Sequence, residues 1–121
     1  MNNEESLEFV REYFDELFSK RNPEALDFYL DKDYFDDDIG DPNIDHIKAS
    51  KEYLGNLFRQ KPTIGVDVKD AMAQDNLISA FLEWYVLENR LKRTFIKGIG
   101  IFVVQDEKIL KRHTYIYYYR E

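Results

Sequence analysis

From Phe95 to Tyr119 the chain reads FIKGIGIFVVQDEKILKRHTYIYYY. Two runs of β-branched and aromatic residues flank a polar turn, Gln105-Asp106-Glu107-Lys108, and this pattern predicts a long antiparallel hairpin. Alternation puts Ile96, Gly98, Gly100, Phe102 and Val104 on one face and Phe95, Lys97, Ile99, Ile101 and Val103 on the other. Two glycines two apart on one face leave a gap in the side-chain layer. The gap reads as a bulge, a close backbone approach or the floor of a pocket.

The first third of the chain has a different period. Leu7, Val10, Phe14, Leu17 and Phe18 recur at helical spacing and predict a helix from about Glu5 to Arg21. Tyr13 lies at the edge of that stripe, where its ring can be buried with the hydroxyl reaching out. Asn22-Pro23-Glu24 pairs a cap residue with a proline at the first helical position, which starts a short helix from about Pro23 to Leu30. That helix buries Leu26, Phe28 or Tyr29, and Leu30. A third helix is expected from Asp45 to Gln60, with Ile47, Leu54, Leu57 and Phe58 as its apolar stripe and Lys61-Pro62 as its stop. His46 falls in its first turn and is expected to be exposed.

Between the second and third helices, Asp31 to Asp41 reads DKDYFDDDIGD. Tyr34-Phe35 suggests a brief strand, and Gly40-Asp41-Pro42 breaks it. The aspartates read mainly as a solvent-facing acidic turn. They lack the ligand spacing and bidentate glutamate of an EF-hand.

From Thr63 onward the chain reads as strand. Ile64 to Lys69 alternates, Gln74-Asp75-Asn76 turns, and Leu77 to Leu87 is a long strand ended by Glu88-Asn89-Arg90. Both faces of that long strand are apolar. Ile78, Ala80, Leu82, Trp84 and Val86 share one face, and Leu77, Phe81, Tyr85 and Leu87 the other. A strand buried on both sides needs a layer on each side. The helices cover one face, so a second copy of the chain is expected on the other. This gives an α+β domain over residues 1–121, with three N-terminal helices packed in a strongly curved antiparallel sheet of four strands or so.

Composition narrows the chemistry. The 121 residues include 9 Tyr, 9 Phe and 1 Trp, rings that must be buried, line a cavity or be covered by a partner. The chain has no cysteine, which removes disulfides, thiol nucleophiles and thiolate metal sites, and its two histidines make no His-rich metal centre. No metal or cofactor is expected. A net charge of −7 disfavours nucleic acid and anionic membrane. With no apolar run long enough to span a bilayer and no signal peptide pattern, a cytoplasmic protein is expected.

The order helix, short helix opening at Asn22-Pro23-Glu24, acidic strand, helix, then long strands ending in Gly98-Ile99-Gly100-Ile101-Phe102 and Asp106-Glu107-Lys108-Ile109 resembles the SnoaL-like branch of the NTF2-like (cystatin-like) superfamily. That resemblance implies a cone-shaped fold with a hydrophobic pocket. Ketosteroid isomerase is the relative with the clearest chemistry, and an ungapped overlay places its catalytic tyrosine on Tyr13 and its base on Asp37. Its oxyanion aspartic acid falls on Gly100. On the same overlay Ala80, Leu82, Trp84, Arg112, Thr114 and Ile116 face the pocket, while His113 and Tyr115 face a partner subunit; Leu82, Trp84, Gly100, Phe102, Arg112 and Thr114 are the expected ligand-binding positions. SnoaL-like cyclases are similar in the Gly-Ile-Gly strand, but the tryptophan usual near the start of their last strand is His113 here, and the histidine common in their acidic strand is Asp37.

The resemblance implies a protein that binds a small apolar or weakly acidic molecule. Its activity would be isomerisation, cyclisation or dehydration of a small carbonyl compound, with Asp37 as general base and Tyr13 as electrophile. The alternatives are a non-catalytic ligand-binding module and an interaction protein built around its sheet face. Arg112 reads either as a holder of a ligand carboxylate or phosphate, or as the partner of Asp37 in a structural salt bridge.

Overall fold

A computed structural model describes residues 1–120. The helices are α1 (Asn3–Phe14), which runs on into one π-helical turn at Asp15–Ser19, a 3-10 turn at Pro23–Ala25 leading into the short α2 (Leu26–Tyr29), and α3 (His46–Gln60). The strands are β1 (Leu30–Asp36), β2 (Gly65–Gln74), β3 (Leu77–Glu88), β4 (Leu91–Gln105) and β5 (Lys108–Tyr119), in the spatial order β1-β5-β4-β3-β2.

Local sequence explains each element. Asn2 and Glu5 close a reciprocal capping box at the start of α1. Asp45 caps α3 by accepting from the amides of Ile47 and Lys48 at 3.0 and 3.1 Å. Asn22 makes no such side-chain bond, so proline geometry alone starts the second helical segment. Asn89-Arg90 and Asp106-Glu107 have positive φ at both positions, the geometry that lets a two-residue turn follow the strands' own twist.

The sheet has five strands rather than four or so, because the acidic segment forms a full strand. β1 pairs with β5 in parallel, and the three pairings of β2 to β5 are antiparallel. Val10, Tyr13, Phe14, Leu17 and Phe18 of α1 and its π turn meet Ile78, Ala80, Leu82 and Phe102 in one core. In α2, Leu26 and Tyr29 turn inward and Phe28 is exposed.

On the opposite face of the sheet, Phe81, Ile99, Ile101 and Val103 are half-buried, and Leu77 and Tyr115 are exposed. None of the helices is long and apolar enough to cross a membrane.

Candidate functional site

Cross-strand register arranges the concave face in rows. Ile78, Phe102 and Arg112 form one row, and Ala80, Gly100 and Thr114 the next. Leu82, Gly98 and Ile116 follow, then Trp84, Ile96 and Tyr119. Ala80, Leu82 and Phe102 are buried under the helices, Trp84 and Ile96 are half-buried, and Ile116, at the β5 end of the third row, is 57% exposed.

The two glycines resolve differently. Gly98 sits at a register shift, and a Cβ there would meet the Tyr115 carbonyl at 2.8 Å, so it is both bulge and close approach. A Cβ on Gly100 would meet Phe102 Cε2 at 3.0 Å and Leu82 Cδ1 at 3.1 Å. The gap beneath Gly100 is therefore filled by its neighbours, and Leu82, Gly100 and Phe102 form packed core in place of the expected pocket floor. Two open grooves lie elsewhere. One of about 680 Å³ runs between α1 and β2, and one of about 600 Å³ between β1 and α3; Tyr13, Gly100 and Arg112 line neither.

At the covered end, polar side chains converge. Asp36 is 3% exposed, and both its carboxylate oxygens accept hydrogen bonds. Its Oδ2 accepts from the Tyr34 hydroxyl at 3.0 Å and from Arg112 Nη2 and Nε at 2.9 and 3.3 Å. Its Oδ1 accepts the Asp38 amide at 2.9 Å. Asp38 adds a second carboxylate, 3.2 Å from Arg112 Nη2 and 3.3 Å from the Thr114 amide. Arg112 Nη1 donates to the Thr114 hydroxyl at 2.7 Å. Burial works against the Arg112 charge, but Tyr34, Asp36 and Tyr13 together outweigh it and hold its pKa above the ordinary value.

Tyr13 completes the group. Its ring packs edge-on against Phe14, Tyr29 and Phe102. Burial pushes its hydroxyl up to about 12, with Arg112 lowering and Asp36 raising it to a smaller extent, so the phenol stays protonated and able to donate. Tyr34 is raised still further by burial.

Asp37 takes a different position from the one expected. Its carboxylate is turned outward, about a third exposed, and lies 3.5 Å from Lys111. The inward carboxylate is Asp36, one residue earlier. Asp36 and Arg112 are register partners across β1 and β5, and the Asp37 amide bonds to the Arg112 carbonyl, which fixes the alternation. Arg112 accordingly pairs with Asp36 and Asp38 rather than with Asp37, and donates as well to the Thr114 hydroxyl, which leaves little of the guanidinium for a ligand anion. Thr114 lies in the row of Ala80 and Gly100, and Trp84 two rows further on, both half-buried.

His46 is also corrected. It is 4% exposed, with Nδ1 accepting the Asp36 amide at 2.8 Å and Nε2 donating to the Asp41 carbonyl. Its ring stacks on Phe35 with centroids 4.6 Å apart. A helix-start position suggested solvent, and the partner that buries it is a backbone amide ten residues away. Neither Asp36 nor Asp38 is singled out by sequence, since each is one of three identical neighbours.

A curved sheet enclosing helices, with a tyrosine, carboxylate and arginine centre on its concave side, defines the class. The profile of the SnoaL-like domain matches residues 10–112, and the chain belongs to that family. No curated protein matches it.

Among solved structures, a SnoaL-like polyketide cyclase from Agrobacterium tumefaciens str. C58 is similar at TM-score 0.70 and 12% identity, covering 89% of this chain and 87% of that one. An NTF2-like protein of unknown function from Mesorhizobium loti gives 0.65 and 15%, covering 94% and 92%. A protein from Bacillus cereus ATCC 10987, assigned only provisionally to polyketide cyclisation, gives 0.74 and 16%, covering 90% and 72%.

Proposed function

We propose that this SnoaL-like protein binds a small neutral carbonyl or hydroxyl compound along the open rows of the concave face. Trp84, Ile96 and Ile116 provide the apolar floor, and the ligand's polar atom is directed at Tyr13 and Thr114. The observation that carries this reading is the contrast between Tyr13, whose buried ring holds a protonated hydroxyl near Asp36 and Arg112, and that pair itself, which is bonded to Tyr34, Asp38 and Thr114. Two carboxylates around one guanidinium argue against an anionic ligand.

The test is an NMR titration with cyclic ketones and phenols beside carboxylates of matched shape. Shifts at Thr114 and Tyr13 with the neutral set, weakened about tenfold by Tyr13→Phe, are expected. Equal binding of the carboxylates, or indifference to Tyr13→Phe, would overturn the reading.

A second reading is an isomerase, cyclase or dehydratase, favoured by the inward Asp36 beside a protonated Tyr13 and in keeping with the relatives named as polyketide cyclases. Asp36 then takes the base role expected of Asp37. Exchange of the α-protons of a bound ketone in D₂O tests it directly. Loss in Asp36→Asn with retention in Asp37→Asn is the outcome that supports it, and absence of exchange in the wild type removes it.

We also propose a homodimer through the sheet face bearing Ile99, Ile101, His113 and Tyr115, and a cytoplasmic location.

A further inference from the structure

Residues 36 to 38 are three aspartates in a row, DDD. A strand that slips by one residue exchanges its faces, and side-chain chemistry here offers little to oppose such a slip. Something outside β1 must therefore select which carboxylate meets Arg112. Beside the Asp37 amide bond to the Arg112 carbonyl, the candidate is His46, which holds β1 at two points. It accepts the Asp36 amide through Nδ1, and its ring stacks on Phe35, the residue whose outward position sends Tyr34 and Asp36 inward.

We infer that His46 is a positioning residue: as a neutral imidazole protonated on Nε2, it fixes the plane of β1 so that Asp36 rather than Asp37 pairs with Arg112, and acid releases that choice. Both ring nitrogens have assigned roles. Nε2 donates to the Asp41 carbonyl, and Nδ1 can accept the Asp36 amide only while it carries no proton. Protonation would set two donors, Nδ1–H and the Asp36 N–H, against each other.

The charged groups of the groove that His46 lines are balanced. Lys32 and Asp33 come from β1, Asp45 and Lys48 from the start of α3, and Asp27 and Lys51 from across the groove. Lys111 of β5 lies over the Phe35 ring and is matched by Asp37 at 3.5 Å. The Asp36 carboxylate is turned away toward Arg112, and that of Asp41 accepts the Asn43 amide. The hydrogen-bond roles, rather than a local excess of charge, therefore make the contact sensitive to protonation.

The inference rests on the Asp36–Arg112 centre being the site. It is read from that pairing itself, without any ligand, so it can fail while the binding proposal stands, or the reverse. The experiment is NMR on the full chain and two variants. In the wild type at neutral pH, the imidazole nitrogen shifts should show Nδ1 bare and Nε2 protonated. On acidification the protection factor of the Asp36 amide should fall about tenfold, together with loss of the Arg112 Nε–H signal.

His46→Asn places a carbonyl oxygen near the Nδ1 position that cannot be protonated. It should keep both signals and flatten the pH profile, while His46→Ala should lose them at every pH. A proton on Nδ1 at neutral pH, a His46→Asn profile that still titrates like the wild type, or full Asp36 protection in His46→Ala would each overturn the inference. Should a variant not fold, the wild-type tautomer and pH profile decide it alone.

Discussion

Asp36 and Arg112 face each other as register partners in the parallel β1–β5 pairing, and their side chains close to 2.9 Å. The carboxylate is almost wholly buried, whereas the guanidinium is a quarter exposed. Removing the cation strands a buried charge, so Arg112→Met should cost about 3 kcal/mol, the low end for a buried pair because Arg112 reaches the surface. Asp36→Asn should cost less, since the amide keeps an acceptor and Arg112 keeps Asp38. Urea unfolding of both variants checks the order, and an Asp36→Asn loss larger than that of Arg112→Met would contradict it.

Tyr13 links the centre to alkaline pH. The unfolded chain ionises near the ordinary value of 10.0, while the folded state holds the proton to about 12, so the folded state binds more protons in between. The stabilisation is complete below pH 10 and is lost as pH rises toward 12. Tyr13→Phe should remove about 2 kcal/mol of that loss. Tyr34, raised in the same direction, should leave a residual slope. Chemical denaturation at pH 9 and pH 11.5, each taken as about that value, compares the two proteins.

Gly100 tests whether the core is filled. A methyl group there presses on Phe102 and Leu82, so Gly100→Ala should destabilise the protein by roughly 1–3 kcal/mol. A neutral or stabilising result would mean that the space beneath Gly100 is open.

The outer sheet face tests assembly. Tyr115 is 59% exposed beside half-buried Ile99 and Ile101. Sedimentation should show a dimer at micromolar concentration that Tyr115→Glu converts to monomer, because the variant would bury an unpaired charge. A wild-type monomer of 14.6 kDa throughout would end the proposal.

Much of this molecule is written in local pattern. The period-two run of Ile78, Ala80, Leu82 and Trp84 gives the inner face of β3, and Asp45 gives the start of α3 to the residue. What escapes is what depends on distant partners. The parallel pairing of β1 with β5 has no local signature, so the acidic segment reads as a brief strand and a turn. Within it, the choice between Asp36 and Asp37 is set by backbone bonds to Arg112 and His46, and the spacing from Tyr13 in an ungapped overlay points one residue too far. The interior at Gly100 is similarly invisible, since a missing side chain in sequence does not reveal that Phe102 fills the space.

The strand order also imposes an order in time. Among the described residues β1 pairs with no strand except β5, and the bonds of Asp36 to Arg112 join residues 76 positions apart. Pairings of such long range close late, after the hairpins of β2 to β4 that need only short loops. During synthesis β1 therefore waits outside the sheet until the last strand emerges and docks between it and β4. The polar centre is the final part of the fold to assemble, and a chain cut short before Arg112 keeps the means to form its hairpins and lacks the means to form its site.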